Sequence, residues 1–111
     1  MKLAVALIDN APAFHFGKAN DFKILTIEDG KVLLTEELFD DIHTHQSRPG
    51  FLKDHGVSAL ICNGIGSGAV DRLVDAGIAL YGFNELSVPD AIHAFVKGTL
   101  PSQTDVFECK C

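Results

Sequence analysis

The chain has 111 residues, 47% of them hydrophobic and 22% charged, which fits one domain with a core of its own. Its net charge of -6 argues against general binding to nucleic acid or to an anionic membrane, since both demand a basic surface. A few local donors would still suffice to hold an anion.

Residues 2–9, KLAVALID, form a continuous apolar run, as expected of a central strand covered on both faces. Asp9 and Asn10 interrupt it before a signal-peptide core can form, and no run reaches membrane-spanning length, so the expected location is the cytoplasm. Residues 10–20 read as a loop. It holds FHFGKA, a histidine between two phenylalanines followed by glycine and lysine. FKILTI and KVLLTEEL are β-rich runs joined by Glu28-Asp29-Gly30, and Asp-Gly between such runs signals a type I′ hairpin, which needs positive φ at both residues. Residues 39–47 are polar and carry His43 and His45.

Pro49 sits where a short helix can begin, and Gly56 fits its end. VSALIC is a second buried strand. GIGSG follows, then AVDRLVDAG, with Ala69, Val70, Leu73 and Val74 on one expected helical stripe. IALYGF is the next strand. In the last helix Ser87 is placed to cap, Val88, Ala91, Ile92, Phe95 and Val96 share a face, and Gly98 ends the run. The expected unit is a domain over 1–100 with a C-terminal tail over 101–111.

This order, β-β-β-α-β-α-β-α, implies an α/β fold: a five-stranded mixed sheet covered by three helices. Counting those five strands along the chain, the expected sheet order is 3-2-1-4-5, with strands 1, 3, 4 and 5 running one way. The C-terminal ends of strands 1, 3 and 4 then share an edge. That edge collects the His15 loop, then His43 and His45, then Cys62, Asn63 and the glycines after it. Ligands of open α/β sheets bind beyond such ends.

Several residues carry chemistry, each with a plainer reading beside it. His15 offers a soft or borderline metal one imidazole nitrogen, with Phe14 and Phe16 limiting water; the plainer reading is packing in a tight loop. Gly17 supplies backbone freedom, and Lys18 is either a charge near an anion or simply solvated. His43 and His45 share a face if extended and would chelate a divalent cation, or else lie in a polar surface loop. His55, at a helix C-terminus, is explained by the helix dipole, and His93 falls on a polar face. The three cysteines are odd in number and far apart, which suggests neither a disulfide framework nor an iron–sulfur signature. Residues 64–69, GIGSGA, have the local form of a dinucleotide fingerprint, but too little chain follows for a full dinucleotide fold. A tight turn, or a helix N-terminus presenting N–H groups to an anion, accounts for Gly64 and Gly66.

The segments HFGKANDFKILTIEDG, HGVSALICNGIGSGAVDRLVDAGIALYG and AIHAFVKGTL, in that order after MKLAVALID, resemble the nitrogenase iron–molybdenum cofactor biosynthesis family over residues 1 to 100. The resemblance implies a ribonuclease-H-like fold and a role in binding rather than catalysis. It implies a metal–sulfur cluster of iron–molybdenum or molybdenum–copper type as the cargo. His15 maps onto the loop histidine implicated in cluster binding. The tail with Cys109 and Cys111 has no counterpart.

The expected function is therefore a small cytoplasmic carrier or assembly factor for such a cluster, not an enzyme. His15, His43 and His45 are the metal candidates; His15, Gly17, Lys18, Asn63, Gly64 and Gly66 are the cofactor-binding candidates. Expected partners are the cluster and the proteins that build or accept it, with no nucleic acid and no membrane, and a monomer or weak homodimer. The alternative is an anion- or nucleotide-binding regulatory module using the turn from Gly64 to Ala69.

Overall fold

The computed structural model describes residues 1–8, 11–12, 19, 21–39, 47–62, 67–83 and 86–100. Along the chain they form β1 (Lys2–Ile8), β2 (Ala11–Pro12), β3 (Asp21–Glu28), β4 (Lys31–Phe39), α1 (Arg48–Asp54), β5 (Val57–Ile61), α2 (Ser67–Asp75), β6 (Ala79–Tyr81) and α3 (Val88–Lys97). The five longer strands lie in the order β4-β3-β1-β5-β6. β1 is antiparallel to β3 and parallel to β5, β3 is antiparallel to β4, and β6 is parallel to β5. This is the mixed sheet expected from the chain, with β1 at its centre, and a ribonuclease-H-like label is compatible with it.

Strand β1 is central because both of its faces are apolar. Ala4 and Ala6 point into one cluster with Phe22, Ile24, Leu52, Leu60, Cys62, Leu73 and Leu80, which α1 and α2 cover. Leu3, Val5 and Leu7 point into the other with Leu25, Ile27, Ala59, Ile61, Phe83 and Ala91, which α3 covers. Each fully buried leucine or valine contributes about 1.5–3 kcal/mol of transfer free energy.

Local signals set the boundaries. Asp29 and Gly30 both have positive φ, 52° and 73°, as a type I′ turn requires. The α3 N-cap Ser87 accepts a hydrogen bond from the Asp90 N–H at 3.3 Å, and Gly98 closes the helix at φ 76°.

The structure departs from the sequence reading in four places. Within 10–20, read as loop throughout, Ala11–Pro12 pair with β1 as a short antiparallel strand. Helices do not cover the whole sheet, because β4 is an edge strand exposed along nearly all its length, with Leu33 and Phe39 60% and 74% exposed. Between β3 and β4 the register shifts: Thr26 pairs with Leu34, but Ile27 pairs with Val32. Leu33 is thus a bulge, a common device on edges. In α2 the expected stripe narrows: Leu73 is buried and Val70 packs against the core, but Val74 is 44% exposed. The side chain of Ala69 lies outside the described residues.

Truncating Leu60, fully buried in the α1/α2 face, should therefore cost about 2–5 kcal/mol in urea denaturation. Leu33→Ala, at the exposed bulge, should stay within about 0.5 kcal/mol of wild type. Equal losses for the two variants would contradict this assignment of core and edge.

Candidate functional site

β1, β4 and β5 all end at one edge of the sheet, and β3 begins there. β1 and β5 pair only as far as Val5 and Ile61. Beyond that point β2 pairs with Leu7 and Ile8 while β3 still holds the other side of Leu7, so β2 occupies the flank that β5 has left. The connections then diverge. The chain leaves β1 toward β3 and leaves β5 through α2 toward β6. Two adjacent parallel strands whose connections go opposite ways open a crevice at their C-terminal ends, which is where ligands of such sheets bind.

His15, Gly17, Lys18, His43, His45, Asn63, Gly64 and Gly66 lie outside the described residues. The ends of the segments that carry them do not. Residues 9–20 leave from Ile8 and return at Asp21. Residues 40–46 leave from Phe39 and return at Ser47. Residues 63–66 leave from Cys62 and enter α2. All three segments are anchored at the edge expected from the sequence. The histidine pair starts two strand spacings from β1, roughly 10 Å.

Residues with simpler explanations fall elsewhere. The His55 ring is exposed, stands 4.6 Å from the Phe51 ring, and places Nδ1 2.9 Å from the Phe51 carbonyl oxygen. It sits at the opposite edge, where Lys2 Nζ donates to its carbonyl. His93 is exposed on α3. Cys62 is wholly buried in the core beneath α1 and α2. A cavity of about 360 Å³ also lies at the opposite edge, between α3 and the hairpin turn. Among the described residues its lining includes Met1, Asp29, Tyr81 and Phe95 but neither histidine nor cysteine.

Two residues at the candidate edge were missed in the sequence. Asp21 and Arg48 are the buried charged residues among those described, each 2% exposed. Arg48 opens α1, and its guanidinium carbon lies 5.3 Å from the centroid of the Phe22 ring. It brings a positive charge to an acidic chain at the edge where an anion would sit. Asp21 opens β3 opposite Leu7 and Phe39, and its Oδ1 has no hydrogen-bond partner among the described residues. Such a group costs about 1–3 kcal/mol. A signal for Asp21 was present: by strand alternation it shares a face with Lys23, Leu25 and Ile27, and the two apolar members of that set are buried. Arg48, one residue before a helix-starting proline, gave none.

Burial holds the Asp21 carboxyl above its ordinary value of 3.8, with Glu37 on β4 pushing the same way, while Lys23 and the Phe22 backbone pull it down. The unfolded chain loses this proton near the ordinary value; the folded chain keeps it to higher pH. The fold therefore binds more protons over that interval, and stability falls as pH rises through it. Asp21→Asn, which cannot ionise, should gain stability relative to wild type at neutral pH, and the gain should shrink as pH falls toward about 4. Urea midpoints measured along a pH series check this, and a difference that does not change with pH would refute it.

Residues 1–98 match the family model described as dinitrogenase iron-molybdenum cofactor. An uncharacterized protein of Methanocaldococcus jannaschii is 29% identical over 105 residues, covering 90% of this chain and 89% of its own. The crystal structure of PH0822 superposes with a TM-score of 0.83 at 29% identity, covering 95% of this chain and 96% of that one. The apo form of the orange protein from Desulfovibrio gigas superposes with a TM-score of 0.72 over 91% of each chain; at 20% identity it shares the fold. Both the family match and the superpositions run through the sheet edge just described, and the chain belongs to the dinitrogenase iron-molybdenum cofactor family.

Proposed function

We propose that this protein is a non-enzymatic carrier that holds a metal–sulfur cluster, of iron–molybdenum or molybdenum–copper type, at the C-terminal edge of β1 and passes it on. One observation carries the reading. Both buried charged residues among those described, Asp21 and Arg48, lie at the edge where the His15, His43–His45 and Asn63–Gly66 segments are anchored. That edge is also where β1 and β5 part and the sheet opens, which is where a fold of this kind takes its ligand.

The cargo would meet three kinds of group. His15 gives one imidazole nitrogen to a soft or borderline metal, and a single such bond suits a cluster that must later be released. Gly17 leaves the backbone of its loop free to approach. Lys18, Arg48 and the N–H groups where the turn of Gly64 and Gly66 enters α2 supply positive charge and donors for a sulfide-rich anion, against a chain of net charge -6. His43 and His45 reach the same cargo if their segment turns toward β1, and Asn63 lies beside the glycine turn. None of these groups needs to do chemistry on the cargo, so the reading is one of binding and transfer. Assembly and acceptor proteins are the partners such a carrier requires, and its workplace would be the cytoplasm, where free thiols stay reduced.

Anaerobic incubation of the purified chain with tetrathiomolybdate and copper(I), or with an iron–molybdenum cluster donor, followed by gel filtration, should give a coloured protein with stoichiometric metal and sulfide. His15→Ala should lose at least about a hundredfold in affinity, since Phe14, Phe16 and Gly17 offer no donor atom. If the ring serves as a ligand and not in packing, folding stability should stay within about 0.5 kcal/mol of wild type. A destabilised variant that still takes up the cluster would make His15 a packing residue. A colourless wild type that binds a nucleotide tightly would instead favour a regulatory module using Gly64 to Ala69.

A further inference from the structure

β4 is the longest of the described strands and lies at the end of the sheet, with no described strand on its outer side. Such an edge presents a row of backbone N–H and C=O groups to which another strand can pair, and edges are commonly kept short or polar for that reason. This one is neither. Of the six large hydrophobic residues that stand exposed among those described, four are on β4: Val32, Leu33, Leu34 and Phe39. They lie on both faces of the sheet. Leu34 pairs with Thr26 and Val32 with Ile27, and Thr26 and Ile27, being successive, point to opposite sides. A helix laid on one face would leave the other uncovered, whereas a strand added in the plane of the sheet flanks both at once.

The charges on β4 indicate which strand fits. Lys31 stands at its beginning and Glu36 and Glu37 toward its end, all three exposed. A parallel copy of β4 would set lysine beside lysine and the glutamates beside one another. An antiparallel copy sets Lys31 of each chain beside Glu36 and Glu37 of the other, twice over by two-fold symmetry. We propose that β4 is a homodimer interface, at which two copies of this chain join their sheets by antiparallel β4–β4 pairing. This is independent of any cargo.

The contact is closed. Each copy uses up its β4 edge, and the strand at the other end of the sheet, β6, is three residues long and offers little to pair with. Two features keep the dimer weak. The bulge at Leu33 limits the flat stretch available for pairing, and a net charge of -6 on each chain opposes their approach. The dimer therefore forms as concentration rises, and the monomer prevails in the dilute samples used for urea denaturation.

Sedimentation velocity of the full chain without cargo, from about 10 μM to 1 mM, should show monomer passing to dimer and stopping there. Lys31→Glu and Glu37→Lys should each weaken self-association about tenfold. An equimolar mixture of the two variants should recover it, because each then offers the other an opposite charge at both contacts. Each change also disturbs a cross-strand pair within the monomer, Lys31 with Glu28 and Glu37 with Lys23, so a measurement on the unaltered chain stands beside them. Amide hydrogen exchange along β4 should slow as wild-type concentration rises, while exchange along β6 stays unchanged. A wild type that is monomeric throughout, or that grows beyond a dimer, would overturn the proposal. So would a mixture that associates no better than its components, or β4 amides whose exchange ignores concentration.

Discussion

The whole architecture depends on the burial of β1 from both sides. A strand with no solvent face must feed two cores at once, and β1 does so unequally. Toward α1 and α2 it presents Ala4 and Ala6; toward α3 it presents Leu3, Val5 and Leu7. The small residues leave room on the face that receives two helices, filled by Phe22, Leu52, Leu60, Leu73 and Leu80. The larger ones help to fill the face that a single helix covers. Interiors are packed to near-crystalline density, so this division of volume between the faces is a constraint rather than a preference.

The same constraint produces the site. A doubly covered central strand can have a parallel neighbour on one side and an antiparallel one on the other, and β1 has both. The parallel partner β5 is reached by a long crossover and continues outward through α2, whereas the antiparallel partner β3 is reached by the segment that leaves β1 directly. The two routes part at the C-terminal end of β1. There β5 stops pairing after Ile61, and β2 takes over the flank at Leu7 and Ile8. A crevice at that point follows from topology before any functional side chain is considered.

Much of this was legible in the residues, for identifiable reasons. The unbroken apolar run of β1, the Asp29-Gly30 turn and the Ser87 and Gly98 caps each rest on one short-range rule that the tertiary structure does not oppose. What was not legible depended on partners distant in sequence. The exposure of β4 depends on where the helices end up, and KVLLTEEL reads equally well as an interior or an edge strand. Val74 looked like part of a buried stripe because the stripe's width is set by the sheet it meets, not by the helix. Ala11–Pro12 pair with β1 only because β5 has left that flank free. For the candidate site, the sequence reading pointed to the C-terminal ends of β1 and its parallel neighbour but passed over Arg48, whose burial against Phe22 joins residues from α1 and β3.

Asp21 differs from these, because its signal was local and was still overlooked. Reading FKILTI as a strand and stopping at its first apolar residue hid the fact that the strand begins one residue earlier, with a carboxyl on the core-facing phase. Elements that agree at every level of description are built for stability, and the position where one of them breaks its own pattern is where another demand has intervened. In this chain the break falls at the end of β3 that shares its edge with the His15 segment. A hydrophobic residue at position 21 would satisfy the strand and the core together; the carboxyl satisfies neither. The demand that keeps a carboxyl there is therefore one that packing does not supply.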